Sequence, residues 1–228
     1  MIRLHHCHQT RSMRSLWLLH ELGIPFDLQV YSFDQSLRSP AYLALNPIGR
    51  VPTLEIDGQT ICESGAIAEA LCEYAPQAGL GRTAGQTERY AWLNWIHFAE
   101  TISQHCAALT QQHVALFEDH MRSPIVMKLE ASRLGKTLGT LEEALTGSGY
   151  LLESGFSAAD IGVGQAVYMA QHFVKLDAFP AVTAWFEQLS ARPAFQKSLP
   201  PEGADRLYLR DFYPPWTVQK LTASGREA

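Results

Sequence analysis

The chain is predicted to fold as an α/β N-terminal domain followed by an all-α helical domain. Three observations predict this. Over the first 75 residues short β-like runs alternate with segments of helical spacing, while beyond residue 86 only helical spacing remains. Between them, Pro76 to Gln86 carries Pro76, Gly79, Gly81 and Gly85, a composition change that marks a linker. The expected boundaries are therefore 1–76 for the first domain, 77–86 for the linker, and 87–228 for the helical domain with an extended C-terminal tail.

Ile2 to His6 is a short β-like run, and Ser12 to Leu22 then places Leu16, Leu18, Leu19 and Leu22 at helical spacing before Gly23 stops the helix. Phe26 to Tyr31 predicts a second strand and Pro40 to Leu45 a short helix. Val51 to Ile56 and Thr60 to Cys62 form a hairpin around the Asp57-Gly58 turn. Ser64 opens a helix to about Tyr74. In the second domain, Thr87 to His113, Ile125 to Leu145, Ala158 to Val174 and Ala181 to Ala191 read as helices, the last ended by Pro193. Phe156-Ser157-Ala158-Ala159-Asp160-Ile161 reads as a capping box with a hydrophobic staple: Ser157 accepts the amide three residues on, Asp160 reaches back, and Phe156 meets Ile161.

With 18 Lys+Arg against 23 Asp+Glu and no basic run, the chain has no footprint for nucleic acid. Met1 to His6 lacks the apolar core of a signal peptide, and no stretch of 18 apolar residues could span a bilayer. A cytoplasmic protein with no membrane partner is expected. The four cysteines, Cys7, Cys62, Cys72 and Cys106, form no CxxC pair and fit a reducing compartment. His5, His6 and His8 flank Cys7, but His5 and His6 point to opposite faces of a strand, so no metal site is expected.

Two motifs carry the functional reading. Asn46-Pro47-Ile48-Gly49-Arg50-Val51-Pro52-Thr53-Leu54 leaves a loop and enters a β-branched strand through a proline. Glu63-Ser64-Gly65-Ala66-Ile67 then places a carboxylate and a hydroxyl where a helix begins, a position whose free N–H groups attract anions. Taken alone, Pro52 reads as an ordinary trans proline, Glu63 as a solvated acid beside a Ser64 N-cap, and Arg50 as an exposed loop cation.

Together the two motifs resemble the glutathione-binding half of the soluble glutathione S-transferases, a resemblance that runs from Met1 to about residue 200. It implies a thioredoxin-like fold for the first domain, a cis bond before Pro52, and a Val51 backbone that pairs with glutathione as an added strand. Ser64 is implied to hold the γ-glutamyl carboxylate, Glu63 the adjacent amino group and Arg50 the glycyl carboxylate. The capping box falls where the family begins a buried helix of its second domain. Aligning Arg14 and Leu16-Trp17-Leu18-Leu19 with the family's first helix puts Thr10 where serine-type members keep the hydroxyl that activates the thiol, and Ser12 at the helix start, where the alternative reading is a helix cap. The family usually shows tyrosine, serine or cysteine there, so Thr10 and Ser12 both stand as candidates. Cys7 lies two residues short of the position a nucleophilic cysteine would need, and reads as a structural thiol.

The implied activity is conjugation of the glutathione thiolate to small hydrophobic electrophiles, or peroxide reduction, in a detoxifying homodimer with glutathione as co-substrate and no metal. A glutathione-dependent disulfide reductase and a non-catalytic binding or assembly module are the alternatives. His97, His105 and His113 recur every eight residues, and one of them lining the second-substrate site is an open reading. The tail after Pro200 holds Tyr208, Phe212, Tyr213 and Trp216, and is expected to fold over its own subunit near the cleft or across a dimer interface.

Overall fold

A computed structural model describes residues 1–145 and 149–215. Four strands form one mixed sheet. β1 (Ile2–His6) runs parallel to β2 (Asp27–Val30) and antiparallel to β3 (Thr53–Ile56), and β4 (Gln59–Ile61) pairs antiparallel with β3, giving the order β2-β1-β3-β4. Because His5 lies opposite Thr53 and His6 opposite Val30, the C-terminal end of β1 and the entry to β3 sit side by side. Both central residues of the hairpin turn, Asp57 and Gly58, have positive φ (48° and 80°), the geometry that lets two residues join twisted strands.

Helix α1 (Ser12–Leu22) stops at Gly23, whose φ of 63° only glycine adopts freely. α2 (Pro40–Leu45) starts with the Ser39 side chain accepting the Tyr42 N–H, and α3 (Ser64–Tyr74) follows the hairpin. The helical half comprises α4 (Arg89–Thr110), α5 (Pro124–Ala144), α6 (Ala158–Ala170), α7 (Pro180–Ser190) and α8 (Pro193–Ser198).

Several boundaries differ from expectation: β3 begins at Thr53 rather than Val51, β4 runs one residue earlier, and α6 ends at Ala170 rather than Val174. β2 ends at Val30, although Tyr31 N–H still bonds the His6 carbonyl at 2.8 Å. α4 begins at Arg89 because Glu88 is left-handed, and it continues through Gln111–Ala115 as one wider π-helical turn. Pro193, expected as a terminator, instead opens α8, where its missing N–H costs no hydrogen bond.

The core is built around α6, nearly all of whose residues are buried. Gly162 lets it approach Ala99 of α4, and Gly164 lets it meet α1 and α7: a Cβ on Gly164 would stand 2.8 Å from Leu189 and 3.2 Å from the Trp17 ring. The helix begins with the expected capping box. Ser157 N–H donates to Asp160 at 2.9 Å, while the Ser157 hydroxyl accepts from Ala159, one residue earlier than predicted, at 3.2 Å. Asp160 also takes the Leu151 amide at 2.9 Å and the Trp185 indole N–H at 3.1 Å, so one buried carboxylate joins three segments. Phe156, the expected staple, lies under the Arg192 guanidinium at 3.7 Å.

Replacing Asp160 by Ala strands three buried donors and is expected to destabilise the fold by at least ~3 kcal/mol, against about 1 kcal/mol for Ser157→Ala. Denaturant unfolding of the two variants should return that order.

Candidate functional site

The loop into β3 is fixed by side chains that precede it. Asn46 Nδ2 donates to the Arg50 carbonyl (2.8 Å) and to Thr53 Oγ1 (3.1 Å), and its Oδ1 accepts the Ile48 N–H at 3.1 Å. Tyr42 OH donates to the same Arg50 carbonyl at 2.7 Å. Gly49 completes the turn at φ 66°, where a Cβ would lie 2.9 Å from the Leu37 carbonyl oxygen. Arg50 is held by its backbone while its side chain is exposed; Val51 is half-buried, and the Val51–Pro52 bond is cis.

α3 follows the hairpin directly and packs on α1. Glu63, exposed, is the N-cap residue, and Ser64, expected as the cap, stands one position inside the helix. Its hydroxyl oxygen accepts a hydrogen bond from Arg14 Nη1 at 3.1 Å, which leaves the Ser64 proton to donate elsewhere.

Arg14 is the centre of the site's framework. From α1 it donates through Nε to Gln165 Oε1 (2.9 Å), through Nη2 to the Ala99 carbonyl (3.0 Å) and Ser103, and through Nη1 to Glu100 as well as Ser64. Gln165 turns its amide N–H to the Thr10 carbonyl at 3.2 Å. Burial pulls the Arg14 pKa below its usual value, and the Glu100 carboxylate offsets this. A guanidinium remains charged in this setting, and five of its donor contacts are to named acceptors.

Thr10 and Ser12 occupy the turn between β1 and α1, and they differ in depth. Ser12 is fully buried, while Thr10 retains a small exposed face. Thr10 Oγ1 donates to the Cys7 carbonyl at 2.8 Å and accepts the Ser12 N–H at 3.3 Å. Ser12 does not cap α1; its oxygen accepts the Cys7 N–H at 3.1 Å and lies 2.8 Å from His6 Nδ1. The Cys7 thiol is buried, and desolvation together with the charges of Asp34 and Asp205 pushes its pKa up to about 11. It is a protonated, packed thiol rather than a nucleophile.

The strand histidines part as the period-two geometry demands. His5 bonds Tyr31 OH and Glu55 at 2.9 Å each, whereas His6 faces Ser12 and His8. Among the described residues, no three His, Cys, Asp or Glu side chains gather to hold a metal, and no helix is long and apolar enough to cross a membrane. His105 pairs with Glu130 at 2.7 Å, His97 is exposed, and His113 stacks on Phe173 and Tyr213.

The tail folds over its own subunit, one of the two placements expected. Tyr208 is buried, donates its N–H to Gln9 Oε1 at 2.9 Å and lies with its hydroxyl 2.8 Å from Thr110 Oγ1; Tyr213 N–H bonds the His172 carbonyl at 2.7 Å. Trp216 lies outside the described residues. Gln9 has φ 57° and donates to Tyr168 OH at 3.1 Å, so the residue before Thr10 is clasped by the tail and α6 together. Sequence reasoning missed Gln9, Gln165 and Glu100. Each is an isolated polar residue whose partners lie far away in the chain, and only the alternation of Gln165 with small apolar neighbours hinted at a buried amide.

The profile described as "Glutathione S-transferase, N-terminal domain" matches residues 10–74, and "Glutathione S-transferase, C-terminal domain" matches residues 107–193. Glutathione S-transferase 4 of Zea mays is 32% identical over 192 residues, covering 81% of this chain and 85% of its own. The chain belongs to the glutathione S-transferase family. Glutathione S-transferase 3 of Schizosaccharomyces pombe is 28% identical over 207 residues, 85% of either chain. A glutathione transferase of Phanerochaete chrysosporium, solved in complex with oxidized glutathione, superposes with a TM-score of 0.77 at 25% identity, covering 86% of this chain and 94% of that one. The sheet is thus the thioredoxin-like half of a glutathione transferase, and glutathione is its co-substrate.

In this transferase burial lowers the His6 pKa to about 3, with His8 as a secondary cause. The folded state therefore holds His6 neutral while the unfolded chain protonates near 6.5. Stability is present above that value and falls as the pH drops toward 3, at about 1.4 kcal/mol per unit from this one group. His8, His20, His113 and His172 are also lowered by burial and act in the same direction. Thermal melts at about pH 7 and about pH 5 should show the decline, and a smaller decline in His6→Asn.

Proposed function

We propose that the protein conjugates the glutathione thiolate to small, apolar electrophiles, with residues 1–76 holding glutathione, 77–86 linking, and 87–228 shaping the second-substrate side. The observation that supports this reading is that one guanidinium contacts Ser64 directly and the Thr10 turn through Gln165. Arg14 occupies the acceptor of Ser64, freeing that hydroxyl's proton for the γ-glutamyl carboxylate, and through Gln165 it fixes the backbone of Thr10. A hydroxyl that already accepts from a cation is the stronger donor.

In this scheme Val51 lends its N–H and C=O to the cysteinyl unit, Glu63 takes the γ-glutamyl amino group, and Arg50 takes the glycyl carboxylate. Thr10 donates to the sulfur. A glutathione thiol with a pKa near about 8.5 is mostly protonated at neutral pH, and lowering it by roughly two units requires about 2.7 kcal/mol of thiolate stabilisation. A short hydroxyl donor and the positive end of α1 are suited to supply it. The thiolate then attacks the electrophilic carbon, a C–S bond forms, and the leaving group departs with its bonding pair. A peroxide oxygen would be attacked in the same way, a second glutathione closing the cycle as the disulfide. The buried Cys7 supports a hydroxyl-type rather than a cysteine-type site.

We further propose a cytoplasmic homodimer. Tyr74 at the end of α3 and Tyr90 at the start of α4 are exposed aromatics, 49% and 89% accessible, of the kind that interfaces between copies cover. Sedimentation should return twice the chain mass.

By titration calorimetry, Ser64→Ala is expected to weaken glutathione about tenfold or more, the worth of one hydrogen bond to a charged group. Thr10→Ala should bind glutathione within about threefold of the parent yet lose the thiolate absorbance and about a hundredfold in kcat with chlorodinitrobenzene. A Thr10→Ala protein that keeps its thiolate would remove Thr10 from this role. Turnover of hydroxyethyl disulfide in preference to the chloroarene would favour the reductase reading.

A further inference from the structure

Behind Thr10 lies a line of side chains to which the scheme above gives no role. His8 Nδ1 is 3.2 Å from His6 Nε2, His6 Nδ1 is 2.8 Å from Ser12 Oγ, and Ser12 Oγ is 2.9 Å from Thr10 Oγ1. Each gap is within hydrogen-bond reach. Ser12 and His6 are sealed from solvent, whereas His8 is half-buried and gives the line an outlet. The two hydroxyls also share one acceptor, the Cys7 carbonyl, at 2.8 Å from Thr10 and 3.1 Å from Ser12.

We propose that Thr10, Ser12, His6 and His8 form a proton exit that carries the glutathione thiol proton to solvent and leaves the Thr10 hydroxyl donating to the thiolate. The proposal rests on the reading that Thr10 faces the thiol.

The proton count closes along the line. Initially Thr10 donates to Ser12, Ser12 to His6 Nδ1, and His6, protonated at Nε2, to His8 Nδ1. The S–H bond breaks as its proton passes to the Thr10 oxygen. Thr10 hands its own proton to Ser12, Ser12 to His6 Nδ1, His6 Nε2 to His8 Nδ1, and His8 releases one proton from Nε2 to water. No atom is oxidised and one proton leaves. Afterwards His8 donates to His6, His6 to Ser12, and Ser12 turns its own proton to the Cys7 carbonyl at 3.1 Å, so that Thr10, no longer donating to Ser12, can point its proton at sulfur. Each neutral imidazole has one donor and one acceptor nitrogen in both arrangements, as the chemistry of the ring requires.

The surroundings support passage rather than storage of charge. Burial keeps His6 and His8 neutral, so neither traps the proton. Asp205, reaching in from the C-terminal tail and holding the Ser32 hydroxyl at 2.8 Å, favours a transient positive charge on His8 at the mouth. Asp34 and Asp205 also face Cys7, whose raised pKa keeps that thiol out of the relay. Hydroxyl-type thiol activation explains the presence of Thr10; it gives no reason for two further histidines in register behind it.

The test is rapid mixing of the full-length enzyme with glutathione, following thiolate absorbance and proton release to an indicator dye in water and in deuterium oxide. His8→Leu, at a half-exposed position, is expected to keep glutathione affinity within about twofold while slowing thiolate appearance about tenfold or more and raising the bound thiol's pKa by about one unit. His6→Asn, which can restore a donor toward Ser12 but cannot pass a proton, should recover most of the pKa and little of the rate. The solvent isotope effect on thiolate appearance should be large in the parent and reduced in both variants. Parent-like rates, pKa and isotope effect in both folded variants would overturn the relay while leaving Thr10 as the donor. If Thr10→Ala alone retains the thiolate, it is the underlying assignment that fails.

Discussion

The buried guanidinium of Arg14 is the constraint on which the rest of the site depends. Taking such a cation out of water costs several kcal/mol, and that cost is met only when every donor has an acceptor and a counter-charge lies close by. Here α4 provides Glu100, Ser103 and the Ala99 carbonyl, α6 provides Gln165, and α3 provides Ser64. Because these acceptors come from three helices, the two halves of the chain meet in one relative placement, with the first turn of α3 and the Thr10 turn held in register. The small residues of α6, Gly162 and Gly164, let the helices approach closely enough for one side chain to span them.

The other wall of the site follows a different logic, since it is backbone held by side chains. The carbonyl of Arg50 has two donors, from Tyr42 and Asn46, and Asn46 spends its remaining valence on Thr53 and Ile48. The Arg50 carbonyl and every polar atom of the Asn46 side chain are thereby matched, as buried polar groups require. The exposed Arg50 side chain can therefore move without disturbing the backbone at Val51.

Much of this was legible in the chain. The strand, helix, strand, helix, hairpin, helix order followed from period changes, and the hairpin from Asp57-Gly58, because those signals are local. The loop and helix-start motifs carried the family resemblance, and the capping box announced α6. Pro193 misled because a proline that ends one helix and a proline that begins the next are the same residue in sequence; only the position of Ser190 separates them. Ser12 misled in its expected role as a cap because a serine at a helix start usually bonds forward, and here the end of β1 lies close enough to capture it first. Gln9, Gln165 and Glu100 carried no local signal at all, since the partner that gives each its meaning is more than eighty residues away.

Threonine in place of the family's more usual groups has a physical consequence. Its β-branch stiffens χ1, so the hydroxyl's direction is set largely by the backbone beneath it. That backbone is unusual: Gln9, just before it, sits at φ 57°, a left-handed conformation costing about 1–2 kcal/mol for a residue with a Cβ. Two hydrogen bonds of its side chain, one donated to Tyr168 OH on α6 and one accepted from the Tyr208 N–H in the tail, hold it there. The tail therefore acts on the Thr10 turn through the backbone, by way of Gln9. Tyr208 is in turn anchored by its hydroxyl on Thr110 and by stacking on His172 at 4.2 Å between ring centres. Residues 205–213 thus reach the backbone before Thr10 through Gln9, so the segment after Pro200 belongs to the framework of the turn between β1 and α1 as much as to the protein's covering.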